Sequence, residues 1–314
     1  MSRIHEALKK AEQERAAAQG DLPQAAYPPG FPVGPTAEPP PLEVVTEQPS
    51  QGGVPLTSAM PSFATPFSLD TLLSRCVQRT WSPDERTMLF FNGDDGTRGT
   101  EEFRTLRSRL YSLREKMALR KVLVTSALPK EGKSFTSANL AQVLARQHGR
   151  RVLLIDADLR APRLHMMLGT SSSPGLTDYL QGSSDEFAIM QRGPMENLFF
   201  VPCGQEISDP ADLVANGRLK VLLQRVESLF EWVIVDSPPA LPVSDSMVLA
   251  KACDGVLLVV RSNATPVDMA RRARQEFPDE TLIGLVLNGT SSDVLPYTRY
   301  YYDEVPKNSN DPKT

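Results

Sequence analysis

VLVTSALPKEGKSFTSANL, residues Val122–Leu140, decides the fold. Val122, Leu123 and Val124 form a short apolar run that reads as a buried strand, and Ser134–Gln147 reads as the helix it feeds. Between them, Ala127–Ser134 reads as a phosphate-binding loop with Ala127 in place of the usual first glycine. Such a loop aims successive main-chain N–H groups at an anion, and the helix start adds partial positive charge. The loop positions Pro129, Lys130, Glu131, Gly132, Lys133, Ser134 and Phe135 are therefore the expected nucleotide contacts. Gly132 permits close approach, Lys133 reaches the β- and γ-phosphates, and Ser134 offers its hydroxyl to Mg²⁺.

Outward from this unit, apolar runs predict strands at about 121–126, 151–156, 197–202, 232–236, 255–261 and 281–287. Helical segments are expected near 133–148, 217–229, 244–252 and 266–276. Continuous apolar strands alternating with helices predict an α/β fold, a doubly wound and mostly parallel sheet covered on both faces. Upstream, Leu69, Leu72, Leu73 and Val77 suggest a helix, Thr87–Phe91 a strand, and Asn92–Gly99 a polar loop. In Glu101–Lys116, Phe103, Leu106, Leu110, Leu113 and Met117 recur in three- and four-residue steps, with Thr100 as the expected cap.

Composition organises the rest. Residues 21–66 hold 12 of the 27 prolines, four acids and no Lys or Arg, so 20–66 is expected to be a disordered Pro-rich linker. Before it, residues 1–19 place Ile4, Ala7, Leu8 and Ala11 at helical spacing, as a short amphipathic helix that is either frayed in solvent or docks on a partner. An ordered domain is expected over 67–290 and a flexible tail over 291–314. The net charge of −4 argues against nucleic acid as a partner. Cys76, Cys203 and Cys253 are scattered singly, which fits a reducing cytosol. No apolar run approaches the roughly 20 residues that span a bilayer, and the charged N-terminus is no signal peptide. A cytoplasmic chain is expected, with any membrane role supplied through a partner.

Two further strands end on acids. Val152–Ile155 runs into Asp156-Ala-Asp158-Leu-Arg160-Ala-Pro162, and Trp232–Val235 runs into Asp236-Ser-Pro-Pro239. In an open parallel sheet, ligands sit at the carboxyl ends of strands, so Asp156, Asp158 and Asp236 converge on the phosphate loop. A lone aspartate there often only caps a helix. Two such strands beside a phosphate loop point to chemistry.

The ordered motifs S-A-L-P-K-E-G-K-S, I-D-A-D-L-R-A-P and V-I-V-D-S-P-P resemble those of the bacterial tyrosine kinases (BY-kinases) of capsule and exopolysaccharide assembly. Glu101-x-x-Arg104-x-x-Arg107 resembles that family's oligomerisation motif, and Tyr297, Tyr300, Tyr301 and Tyr302 resemble its autophosphorylated cluster. Two positions depart from the family pattern: Lys130, where small residues are common, and Ala127 at the loop's first position. The resemblance covers about Thr100 to Tyr302. It implies a P-loop tyrosine kinase domain that uses ATP and Mg²⁺ to phosphorylate its own tail and regulate polysaccharide polymerisation and export. It also implies a homo-oligomer, a ring, that works with a membrane-embedded co-polymerase or activator and a tyrosine phosphatase. By resemblance Lys133, Asp156 and Asp158 are catalytic, with Asp156 accepting the tyrosine proton. Ser134, Asp158 and Asp236 would hold Mg²⁺, and Asn288 would contact adenine, or simply cap a turn. The competing group is the partition and septum-site ATPases, which share the sheet and the aspartates. They carry a signature lysine where this chain has Leu128, and the tyrosine cluster has no role in them.

Three smaller readings complete the chain. Arg104 and Arg107 either form intrahelical pairs on a solvated face or contact another subunit. The Arg271, Arg272 and Arg274 cluster reads as a solvated helix face, and Met166-Met167 as core.

Overall fold

A computed structural model describes residues 68–91 and 99–290. The expectations for residues 1–67, for 92–98 and for the tail bearing Tyr297, Tyr300, Tyr301 and Tyr302 lie outside the described residues. In chain order the elements are α1 (Leu69–Arg75), β1 (Val77–Gln78), α2 (Thr100–Arg114), β2 (Lys121–Ser126), α3 (Lys133–Ala145) and β3 (Val152–Asp156). Then come α4 (Leu164–Leu168), α5 (Leu176–Gln181), β4 (Gln191–Arg192), β5 (Leu198–Val201), α6 (Pro210–Ala215) and α7 (Arg218–Val226). The last are β6 (Trp232–Asp236), α8 (Asp245–Ala250), β7 (Gly255–Arg261), α9 (Val267–Gln275) and β8 (Leu282–Asn288).

The eight strands form one sheet in the order β1-β4-β5-β3-β6-β2-β7-β8. From β5 to β8 all neighbours are parallel, and β4 runs antiparallel to β5. Because β6 lies between β2 and β3, the phosphate loop after β2 and the acidic ends of β3 and β6 open on the same sheet edge. Alternate side chains feed two cores. Leu123, Ile155, Val235 and Leu258 pack with α1 and α5–α9 on one face. On the other, Val124, Leu154, Ile234 and Val259 pack with α2, α3 and α4. Burial on both faces is what continuous Val/Leu/Ile runs require. The outermost strand β8 departs from this, with Leu285 and Leu287 about half exposed.

Four local expectations are corrected. The first helix stops at Arg75, and Val77 pairs with Gln191 at the sheet edge. Thr87–Phe91 is not a strand. Its main-chain groups are satisfied by side chains of α3: Leu89 N–H donates to Asn139 Oδ1 at 2.8 Å, and Asn139 Nδ2 donates to the Thr87 carbonyl at 2.8 Å. Gly99, at φ 106°, precedes α2 as its cap in place of Thr100, and Glu102 Oε2 accepts the Gly99 N–H at 2.7 Å. Met166 is 58% exposed, since α4 turns it outward, while its neighbour Met167 packs partly buried.

Candidate functional site

The loop between β2 and α3 is shaped by two residues with positive φ, Lys130 at 67° and Gly132 at 96°. A Cβ at Gly132 would fall 2.0 Å from Asn288 Nδ2, so only glycine fits there. The first bond of the helical ladder runs from Thr136 N–H to the Gly132 carbonyl at 2.9 Å. The N–H groups of Lys133, Ser134 and Phe135 precede that ladder at the positive end of a 13-residue helix with no acid in its first turn. The Phe135 ring packs on Phe103 at a centroid distance of 5.9 Å.

Lys133 begins α3 and is nearly buried. Its ammonium lies 2.6 Å from Asp158 Oδ2, 3.3 Å from Ser134 Oγ and 3.8 Å from Asp236 Oδ2. Burial works against its charge, but Asp236 and Asp158 more than offset this and hold its pKa above the usual lysine value. The three aspartates meet because Asp156 and Asp236 are direct partners across β3 and β6, with strands about 4.8 Å apart.

Each carboxylate is held differently. Asp156 is fully buried; its oxygens accept the N–H groups of Asp158 at 3.3 Å and Leu164 at 3.1 Å. Burial first, and then the charge of Asp236, raise its pKa well above the ordinary carboxylate range. Asp158 Oδ1 accepts from Arg160 N at 3.3 Å and Ala161 N at 3.1 Å, which leaves Oδ2 for Lys133. Asp236 Oδ1 accepts from Ser137 Oγ at 3.0 Å, whereas its Oδ2 is buried with no hydrogen-bond donor among the described residues. Burial raises the Asp236 pKa too, against the pull of Lys133. An orphaned carboxylate oxygen beside the Ser134 hydroxyl is a donor set that fits a hard divalent cation.

Ser137 and the pairing of Arg160 with Asp245 went unnoticed in the sequence. Ser137 lies one turn beyond Lys133 on the same helix face and braces Asp236, a spacing that marks it in retrospect. Arg160 forms a bidentate pair with buried Asp245 (2.8 and 3.1 Å), tying the loop after β3 to the start of α8. Asn288 ends β8 beside the loop, and its Nδ2 donates to the Glu131 carbonyl at 2.9 Å. On α2, Arg104 pairs with Glu101 within the helix, and Arg107 Nη1 donates to the Val143 carbonyl of α3 at 3.2 Å. Arg271 and Arg274 pair with Asp268 and Asp279 on an exposed face, as expected of solvated charges.

Comparison with known proteins agrees with this geometry. A family described as an AAA domain matches residues 130–268. Tyrosine-protein kinase YwqD of Bacillus subtilis is 35% identical over 192 residues, covering 60% of this chain and 81% of that protein. A putative tyrosine-protein kinase EpsB of Ralstonia solanacearum is 34% identical over 218 residues, 67% of this chain but 29% of that longer protein. In structure, the kinase domain of the Escherichia coli tyrosine kinase ETK superposes with a TM-score of 0.56 at 32% identity, covering 61% of this chain and 75% of that one. Phosphate loop, paired strand-end aspartates and relatives of this coverage lead to one assignment: the chain belongs to the bacterial tyrosine kinase family.

Proposed function

We propose that this chain is an ATP-dependent protein-tyrosine autokinase whose substrate is its own cluster Tyr297, Tyr300, Tyr301 and Tyr302, and which regulates exopolysaccharide or capsule polymerisation and export. The observation that carries this reading is the buried Lys133 ammonium set among Asp158, Asp236 and Ser134 at the mouth of a phosphate loop.

A phosphoryl group transferred to tyrosine needs positioning, charge neutralisation and an acceptor for the phenolic proton. The loop amides and the start of α3 bind the phosphates, and phosphate competes with Asp158 for the Lys133 ammonium. Ser134, Asp158 and Asp236 would hold Mg²⁺, which when bound neutralises phosphate charge and fixes the phosphate oxygens. Among the described residues no group of three His, Cys, Asp or Glu side chains is set to hold a metal alone. A nucleotide-borne Mg²⁺ takes much of its shell from phosphate and water. Tyrosine, with a pKa of about 10, is a poor nucleophile until a base takes its proton. Asp156 is that base in this proposal, since its raised pKa brings it closer to the phenol it deprotonates.

Assembly belongs to the same proposal. The Glu101, Arg104 and Arg107 face would join subunits in a ring, with each tail aimed at its neighbour. Among the described residues no helix is long and apolar enough to cross a membrane. In this proposal a membrane-embedded co-polymerase or activator brings the kinase to the inner face of the membrane, and a tyrosine phosphatase reverses the modification. The switch-ATPase reading is weaker, because Leu128 packs against the core where such proteins carry a signature lysine. The test is stoichiometric. With ATP and Mg²⁺, an autokinase forms phosphotyrosine as it releases ADP, whereas ADP release without phosphotyrosine supports the ATPase.

A further inference from the structure

The phosphate loop does not hold its own shape. Three groups from the far end of the sheet grip it. At the end of β7, Arg261 Nη1 donates to the carbonyl of Lys130 at 3.2 Å, the residue that carries the loop's strained left-handed backbone. Asn288 at the end of β8 donates to the carbonyl of Glu131, the next residue, and its amide packs against Gly132, where a Cβ would fall 2.0 Å from Nδ2.

The third grip is on a side chain. Glu131 is almost fully buried, with one carboxylate oxygen accepting the Leu128 N–H at 2.7 Å and the other bonded to the Thr265 hydroxyl. Thr265 Oγ1 also accepts the Arg261 N–H at 3.2 Å, so its single proton is directed to the carboxylate. A buried carboxylate thus closes the loop on itself and ties it to the β7–α9 corner. Neither of its oxygens is free for nucleotide.

We infer that Thr265 and Asn288 are positioning residues that fix the phosphate loop by holding Glu131, one through its carboxylate and the other through its main-chain carbonyl. Glu131 is the keystone of this arrangement. This positioning role uses one of the two amide N–H groups of Asn288, which it donates to the loop backbone. The inference rests on the loop as the phosphate-binding element, but not on the identity of the phosphate acceptor.

A ligand without a base separates the two roles. The affinities of Mg²⁺-ADP and Mg²⁺-tripolyphosphate are to be measured by titration calorimetry on the full chain and its variants, with folding checked by thermal melting. Thr265→Val and Asn288→Ala should each weaken both ligands by the same factor, about tenfold. Glu131→Ala should do at least as much. Glu131→Gln, which still accepts from Leu128 and bonds Thr265, and Thr265→Ser, which keeps the hydroxyl, should stay within about threefold of the parent. Loss of ADP affinity with tripolyphosphate binding unchanged would assign Asn288 to the base and overturn the inference. So would unchanged affinities in Thr265→Val and Glu131→Ala. Failure of the kinase reading would appear elsewhere, as absent phosphotyrosine in a parent chain that binds both ligands normally.

Discussion

The ammonium of Lys133 lies 2.6 Å from Asp158, the carboxylate that follows β3, so the loop lysine and the acidic strand end are in contact before any phosphate arrives. Removing one partner of a buried ion pair leaves the other uncompensated, at a cost of about 3–5 kcal/mol. Here buried Asp236, whose pKa is already raised by burial, can instead take up a proton. Lys133→Met should therefore fold but form no phosphotyrosine. Without the cation, which lowers it, the folded-state pKa of Asp236 rises further, and a raised carboxylate gains stability as pH falls through its folded value. The variant should accordingly gain more thermal stability than the parent between pH 8 and pH 6. Equal gains would show that Lys133 does not neutralise the cluster.

Asp156 sets a second pH dependence. Its folded pKa is raised by burial and by Asp236, above an unfolded value of about 3.9. The nucleotide-free fold is thus favoured as pH falls through the raised value, whereas a base must be ionised and works better as pH rises. Autophosphorylation should show an acid limb above the ordinary carboxylate range. Asp156→Asn should abolish the activity, or reduce it by at least about 100-fold, the usual range for a lost general base. It should not lower thermal stability at pH 8. A parent rate that is flat down to pH 5 would remove Asp156 from the base role.

Gly132→Ala tests the loop geometry. The left-handed backbone costs a non-glycine residue about 1–3 kcal/mol. The new methyl would also displace Asn288 from its contact with Glu131. Nucleotide affinity, read by ADP titration, should fall at least tenfold. Adding Asn288→Ala should relieve the clash without restoring affinity, since the backbone strain remains. Wild-type affinity in the single variant would mean that the loop is not built around this glycine.

The tail's direction of attack can be tested by mixing. Tyr297 follows Asn288 by nine residues, a reach of at most about 30 Å, which suits a neighbouring subunit better than a tight reversal beside β8. A Lys133→Met chain with its tail intact, mixed with an active chain carrying phenylalanine at 297, 300, 301 and 302, should become phosphorylated. Arg104→Ala with Arg107→Ala on both chains should reduce this, with melting curves to account for the Arg107 bond to Val143. An unlabelled dead chain, beside a parent that labels normally at the same concentration, would rule out transfer between subunits.

How much of this was legible in the sequence depends on range. The six long strands and α2 announced themselves, because continuous or three-four apolar patterns are local. Thr87–Phe91 was misread because Met88 and Phe90 alternate like a strand, while the groups that satisfy its backbone, Asn139 and Gln142, lie about fifty residues away. Helices of five or six residues, such as α4, α5 and α6, are too short to display a period. The strand-end aspartates were readable because the sheet rule places them. The grip on Glu131 was not, since Thr265 and Asn288 lie 134 and 157 residues from it, and no spacing advertises such a contact.

The central claim is that this site transfers phosphate to the chain's own tyrosines. It is tested most directly by incubating the parent and Lys133→Met chains with ATP and Mg²⁺ and locating phosphate by mass spectrometry. The account predicts phosphotyrosine confined to Tyr297, Tyr300, Tyr301 and Tyr302 in the parent and none in the variant. Phosphate absent from these four tyrosines in a folded parent that binds ATP, or equal labelling of the Lys133→Met chain, would contradict it.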